Sequence, residues 1–155
     1  MTQTSLFNPD PVDPPVEGEP EVYTSNFARL KRLRAETRIV PLGIAVGPPS
    51  WYKGNSYPAL APSRPMLKMS LADYKVAFTS QLHRLNPEVV LDELRQHARA
   101  VNAPGVALLC WESPNVSCHR RLVAEWLESQ CGITVCEYGF DRQSIMEYDA
   151  MPEKV

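Results

Sequence analysis

Between Leu109 and Arg121 the chain reads Leu-Cys-Trp-Glu-Ser-Pro-Asn-Val-Ser-Cys-His-Arg-Arg. This stretch holds two thiols (Cys110 and Cys118), an imidazole (His119), a carboxylate (Glu112) and two guanidiniums (Arg120 and Arg121). A thiolate is a nucleophile, His and Glu move protons, and Arg holds anions. Together they form a parts list for thiol or acid/base chemistry on an anionic substrate. A helix that starts near Cys118 would present its unpaired N–H groups and the positive end of its dipole there. Both favour thiolate, and the same geometry binds phosphate, sulfate or carboxylate. Cys118, His119, Glu112 and Cys110 are therefore the candidate catalytic residues, with Arg120 and Arg121 as anion holders.

Plainer readings compete with this one. Cys110 closes an apolar run, and a free Cys there often only fills space. Glu112 on a loop is as readily a solvated carboxylate. The Cys118-His119-Arg120 triplet is harder to explain by packing, because three reactive types stand in a row. A metal reading takes Cys110, Cys118 and His119 as ligands, with Cys136 or Glu112 as the fourth. The spacing C-x7-C-H lacks the tight C-x2-C knuckle of structural zinc sites, so neither metal nor cofactor is expected. It is not the C-x5-R loop of cysteine phosphatases either. Cys131 and Cys136 flank a short strand and read as packing residues. His83 and His97 lie on helical segments and read as surface or boundary residues.

The elements that carry these residues follow from periodicity. Val106 to Cys110 is a continuous apolar run, as in a strand buried on both faces. A helix is expected over 118–130, with Leu122, Val123, Trp126 and Leu127 inward and Gly132 as its cap. Ile133 to Cys136 reads as a strand that extends over 133–137. Ser70 with Asp73 resembles a capping box, and Leu71, Tyr74, Phe78, Leu82 and Leu85 follow at helical spacing. Asn86-Pro87-Glu88 starts another helix, expected to reach Val101. Upstream, Val22-Tyr23-Thr24-Ser25 is β-prone, and Phe27, Leu30, Leu33 and Arg34 space as a short basic helix. Thr37 to Val46 reads as a strand that Pro41 weakens. Strands alternate with helices, which predicts an α/β fold: a small single-domain three-layer sandwich with a mostly parallel sheet. In such sheets ligands lie beyond the carboxyl ends of the strands, where 110–121 falls. Tyr23, Thr24 and Ser25, at the end of a neighbouring parallel strand, are expected to border the same pocket.

Residues 47–69 hold five prolines and two glycines and show no period. A loop this long in a compact domain is usually functional. Trp51, Tyr52 and Tyr57 are candidates for stacking on a base, and Lys53 and Arg64 for meeting phosphate. Their plainer role is to pin the loop to the core.

Composition narrows the class. The chain has 155 residues and a net charge of −2. That is one domain, without the global basic excess that non-specific binding along a nucleic-acid backbone needs; local basic patches are still compatible with it. No run is long and apolar enough to span a membrane, and the N-terminus has no secretory pattern, so a cytoplasmic protein with no membrane partner is expected. Five prolines and interspersed acids in the first twenty residues predict a disordered arm over 1–20. The α/β domain then covers 21–140, and 141–155 is a polar tail.

The run LLCWE…CHRRLVAEWLE is similar to the LLC-x-E…CHR-x-L signature of the YeaO-like proteins, the domain-of-unknown-function family numbered 488. Val22-Tyr23-Thr24-Ser25 resembles the family's opening strand. Pro48 to Gly54 and Tyr57 to Pro62 resemble its P-x-W-Y-x-G … Y-x-x-L-A-P loop. The resemblance runs from about residue 21 to 138. It implies a small intracellular α/β domain whose signature residues gather at one pocket, and it assigns no reaction.

The sequence therefore points to an enzyme that acts on a small anionic, nucleotide-like substrate. The competing class is a non-catalytic module that binds a nucleotide or a nucleic-acid end in the same pocket. Reactivity at Cys118 separates them. Limiting iodoacetamide across pH 5–9, read residue by residue by mass spectrometry, should label Cys118 ahead of the other three cysteines. Its midpoint should fall below about 8.5, the value of a free thiol. An inert Cys118 would leave only the anion-binding role.

Overall fold

The computed structural model describes residues 18–111 and 119–139. Glu112, Cys118, the tail expected over 141–155 and the first seventeen residues of the expected arm lie outside the described residues. The last part of that arm is tied down. Glu19 forms ion pairs with Arg95 and Arg99, and the Pro20 carbonyl accepts from Arg95 Nε at 3.1 Å.

The described residues form five strands: β1 (Glu21–Asn26), β2 (Val40–Gly43), β3 (Asn55–Ser56), β4 (Gly105–Cys110) and β5 (Cys136–Glu137). They form one sheet in the order β3-β2-β4-β1-β5, and every pairing is parallel. A 3₁₀ turn at Phe27–Arg29 leads into α1 (Leu30–Glu36). The other helices are α2 (Leu71–His83), α3 (Pro87–Arg99) and α4 (His119–Cys131). All six residues of β4 are buried, as its apolar run predicts. It lies at the centre of the sheet, covered on both faces.

Two hydrophobic clusters make the sandwich. Val22, Leu42, Val106 and Leu108 face Phe78, Leu94 and Leu127 of α2, α3 and α4. On the opposite face, Ala107 and Leu109 meet Phe27, Leu30, Leu33 and Tyr52. Alternate residues of one strand thus feed the two cores.

Local chemistry sets the helix starts. Ser70 Oγ accepts from the Asp73 N–H at 3.1 Å, and Asn86 Oδ1 accepts from Glu88 and Val89, with Pro87 at the first helical position. Gly132, at φ +69°, ends α4.

Three elements differ from expectation. The strand expected over 37–46 is four residues long. Thr37 ends α1 instead, since both its N–H and its hydroxyl donate to the Leu33 carbonyl. The strand expected over 133–137 shrinks to Cys136–Glu137, because the Val135 N–H donates to the Glu128 carboxylate at 2.9 Å rather than to a neighbouring strand. The 47–69 segment is not one irregular loop. It contains β3 and two 3₁₀ turns, Pro58–Leu60 and Arg64–Lys68, each with proline in its first positions.

Gly105 opens β4 opposite Glu21 of β1. A Cβ there would stand 2.5 Å from the Glu21 carbonyl oxygen and 3.1 Å from the Tyr23 ring. Backbone cannot yield as a flexible side chain can, so Gly105→Ala should spread the β1–β4 pairing. It is expected to lower stability by about 1–3 kcal/mol, measured by urea unfolding.

Candidate functional site

The first turn of α4 divides the predicted motif between two environments. Arg120 is fully buried beneath the helix, against the carboxyl ends of β1, β4 and β5. Its Nε donates to Glu137 Oε1 at 3.0 Å, and its Nη1 to Cys110 Sγ at 2.8 Å. The Thr24 hydroxyl donates to the same Glu137 oxygen at 2.6 Å. Thr24 and Glu137 are register partners, so their side chains share a face of the sheet. Arg120, Cys110, Thr24 and Glu137 thus form one buried polar cluster. The second oxygen of Glu137 and the Ser25 hydroxyl are buried with no hydrogen-bond partner among the described residues.

His119 turns the other way. Its Nε2 lies 2.6 Å from the Ile44 carbonyl oxygen, and its ring meets Phe78 edge-on at 5.4 Å. A carbonyl only accepts, so Nε2 carries a proton in this contact. His119 lines a partly open cavity of about 490 Å³. The cavity lies beyond the ends of β2 and β4, between the α4 start and the turn that leads into α2. Arg64, Tyr74, Lys75 and Trp111 supply its other polar and aromatic wall, and Met66, Leu67 and Met69 much of its apolar one. Among the described lining residues there is no acid. A space of this size suits a small molecule, and its position is the usual one for ligands of parallel sheets.

The remaining candidates are placed as follows. Arg121 is buried and 4.0 Å from Glu125 one turn on. Tyr23 is half-buried with its ring edge-on to Tyr138. Burial, and then the charge of Glu21 and of the groups around it, raise its hydroxyl above the usual value of 10. Trp51 and Tyr52 pack edge-on against Phe27. The Tyr52 hydroxyl donates to the Asn55 carbonyl at 2.6 Å, and burial raises its pKa. The Tyr57 hydroxyl donates to Glu93. Burial first, then that bond and the Glu93 charge, push it well above the normal phenol range. Lys53 is exposed. None of Trp51, Tyr52, Lys53 and Tyr57 is among the residues that line the cavity, whereas Arg64 is. Cys131 and Cys136 are half-buried, and burial raises the Cys131 thiol. Among the described residues no group of three His, Cys, Asp or Glu is arranged to hold a metal. Cys118 and Glu112, on which the metal reading also draws, lie outside those residues.

Sequence reasoning missed Glu137, Trp111, Tyr74 and Lys75. A signal for Glu137 existed. Arg120 shares its helical face with Val123, Ala124 and Leu127, all fully buried, so a buried arginine needing an acid was implied.

The fold and site define a single-domain α/β protein with a buried polar clamp under one helix and a ligand-sized cavity at the carboxyl edge of its sheet. Residues 25–131 match the family model described as the active DUF488-N3 subclade, and the chain belongs to the DUF488 family. Comparison with curated proteins and with solved structures gives no match.

A buried guanidinium left without its acid is costly, and so is the reverse. Arg120→Ala and Glu137→Ala should each lower stability by about 3–5 kcal/mol. The double variant Arg120→Met/Glu137→Leu should lose less than either, since no charge stays unpaired. Denaturant unfolding of the three variants checks this, and a double variant as unstable as the sum of the singles would contradict it.

Proposed function

We propose that this protein is an enzyme acting on a small anionic, nucleotide-like substrate bound in the cavity beside His119. The observation that carries this is the wall of that cavity: Arg64 and Lys75, Trp111 and Tyr74, and no acid among the described residues. Cations suit a phosphate, and aromatic faces suit a base. His119 is the acid/base group, being the titratable imidazole on the wall. Cys118, the residue before it in sequence, is the proposed nucleophile, and Glu112 the proposed carboxylate. Cys110 and Arg120 position the start of α4 through the buried cluster. The name of the matched subclade, active, supports an enzymatic reading.

The test is calorimetric titration of the full chain with the four common ribonucleoside 5′-monophosphates, their nucleosides and inorganic phosphate. At least one monophosphate should bind ten-fold more tightly than its nucleoside and than phosphate alone. Arg64→Ala/Lys75→Ala should weaken it at least ten-fold. Failure of all four monophosphates to bind at millimolar concentration would overturn the reading.

One observation favours a non-catalytic module: Cys110 and Arg120 are sequestered from the cavity, as a purely structural clamp would be. Turnover separates the two classes. His119→Gln keeps a donor for the Ile44 carbonyl and removes the titratable ring. Conversion of bound ligand, followed by mass spectrometry, should disappear in this variant while binding persists. Binding without conversion in the parent protein selects the module.

A further inference from the structure

Charge is unevenly distributed along this chain. Its net charge is −2, yet residues 27–84 contain ten Lys and Arg against two acids, Glu36 and Asp73. Those residues build α1 on one face of the sheet, the β2–β3 edge, and α2 on the other face, where it walls the cavity. Lys31, Arg34, Lys53, Arg64, Lys68 and Lys75 are exposed, and none is in an ion pair among the described residues. On α3, by contrast, Arg95 and Arg99 are matched by Glu19 and Asp92.

Two tryptophans lie within this basic region. Trp51 and Trp111 are each 56% exposed, and both meet Phe27 edge-on, at 6.5 and 5.8 Å. The Trp111 indole N–H donates to the Gly47 carbonyl at 2.6 Å, which holds the ring in place. Trp111 also lines the cavity, so the aromatic group continues from the cavity mouth onto the outer surface. Arg34 lies near Tyr52, another neighbour of Phe27, close enough for its charge to favour the phenolate. The cavity, with Arg64 and Lys75 on its wall, thus adjoins through Trp111 the Phe27 ring cluster, and Trp51 and Arg34 carry this surface outward.

We infer that this surface binds single-stranded nucleic acid, with the terminal nucleotide in the cavity and the following nucleotides over Trp111, Trp51 and the cations of α1. Spaced cations with interleaved exposed rings are how single strands are held without sequence readout. The cations neutralise phosphates, and each ring offers a face to any base. The inference deepens the nucleotide reading, because it makes the substrate the end of a polynucleotide rather than a free nucleotide.

The test compares an adenosine 5′-monophosphate-type mononucleotide with ten-residue single-stranded DNA and RNA oligonucleotides, by fluorescence anisotropy and calorimetry on the full chain. At least one decamer should bind at least ten-fold more tightly than the mononucleotide at low salt. Its affinity should fall with salt, at about 0.7 log units per log unit of salt for each phosphate contacted. Lys31→Ala/Arg34→Ala should reduce that slope by about 1.4 and leave mononucleotide binding unchanged. Trp51→Ala should weaken the decamer about ten-fold at unchanged slope. A mononucleotide that binds as tightly as both decamers would overturn this inference and leave the nucleotide reading intact. Decamer binding without mononucleotide binding would support the surface and reject the cavity reading. Absence of both would reject both. Poly-glutamate binding as tight as the decamer's, with Trp51→Ala harmless to each, would make this a general polyanion surface and overturn the assignment to nucleic acid.

Discussion

Arg120 is the side chain on which the arrangement depends. A guanidinium cannot give up its proton inside a protein, so burying it demands an acid and further acceptors. Among the described residues, Glu137 supplies the acid and Cys110 a further acceptor, with Thr24 bracing the carboxylate. These partners come from β5, β4 and β1, so one side chain of α4 ties three parallel strands together at their carboxyl ends. Hydrophobic contact alone lets a helix slide or roll with little loss. A buried ion pair with directional donors does not, because each donor has only one acceptable place.

The orientation of His119 follows from this. Successive residues on a helix point about 100° apart. With Arg120 held toward the sheet, the residue before it must point away from β1 and β5. It meets the end of β2 at the Ile44 carbonyl and the α2 side at Phe78. The buried clamp thus sets the direction of the only described imidazole on the cavity wall. The cavity mouth has a different character. Leu67 and Met69 are 57% and 42% exposed there, so the rim is apolar where the wall behind it carries cations. Methionine and leucine on a 3₁₀ turn can repack around more than one ligand shape, whereas the Arg120 cluster cannot.

Legibility in the sequence divides along the same line. β4, α2, α3 and α4 were plain, because a six-residue apolar run, two N-caps and a helical apolar face are local signals. The Cys-His-Arg run was equally plain as a set of reactive types. What could not be read locally was which member faces the core. That depends on Glu137, a lone acid after a short apolar strand, brought to Arg120 only when β5 joins β1. The aromatics show the same limit from the other side. Trp51, Tyr52 and Tyr57 have the composition of a stacking platform. Tyr52 and Tyr57 instead brace the loop, through the Asn55 carbonyl and the Glu93 carboxylate. Trp111, which follows directly on a buried strand, has the cavity position because strand ends are where this fold opens.

The separation between clamp and cavity also bears on charge. Placing a cation in the core requires an anion in the core, and the Arg120–Glu137 pair is neutral as a unit, so it adds little to the field outside. The surface potential is then set by exposed side chains alone, and over residues 27–84 these are overwhelmingly basic. A nearly neutral protein can in this way present a strongly positive face without raising its overall charge. On the proposed reading, such a face would draw polyanions over roughly a Debye length toward the adjoining cavity, while the acidic remainder would limit attraction elsewhere. Recognition at the mouth, as proposed, and positioning behind it would therefore rest on different groups, and substitutions in one need not disturb the other.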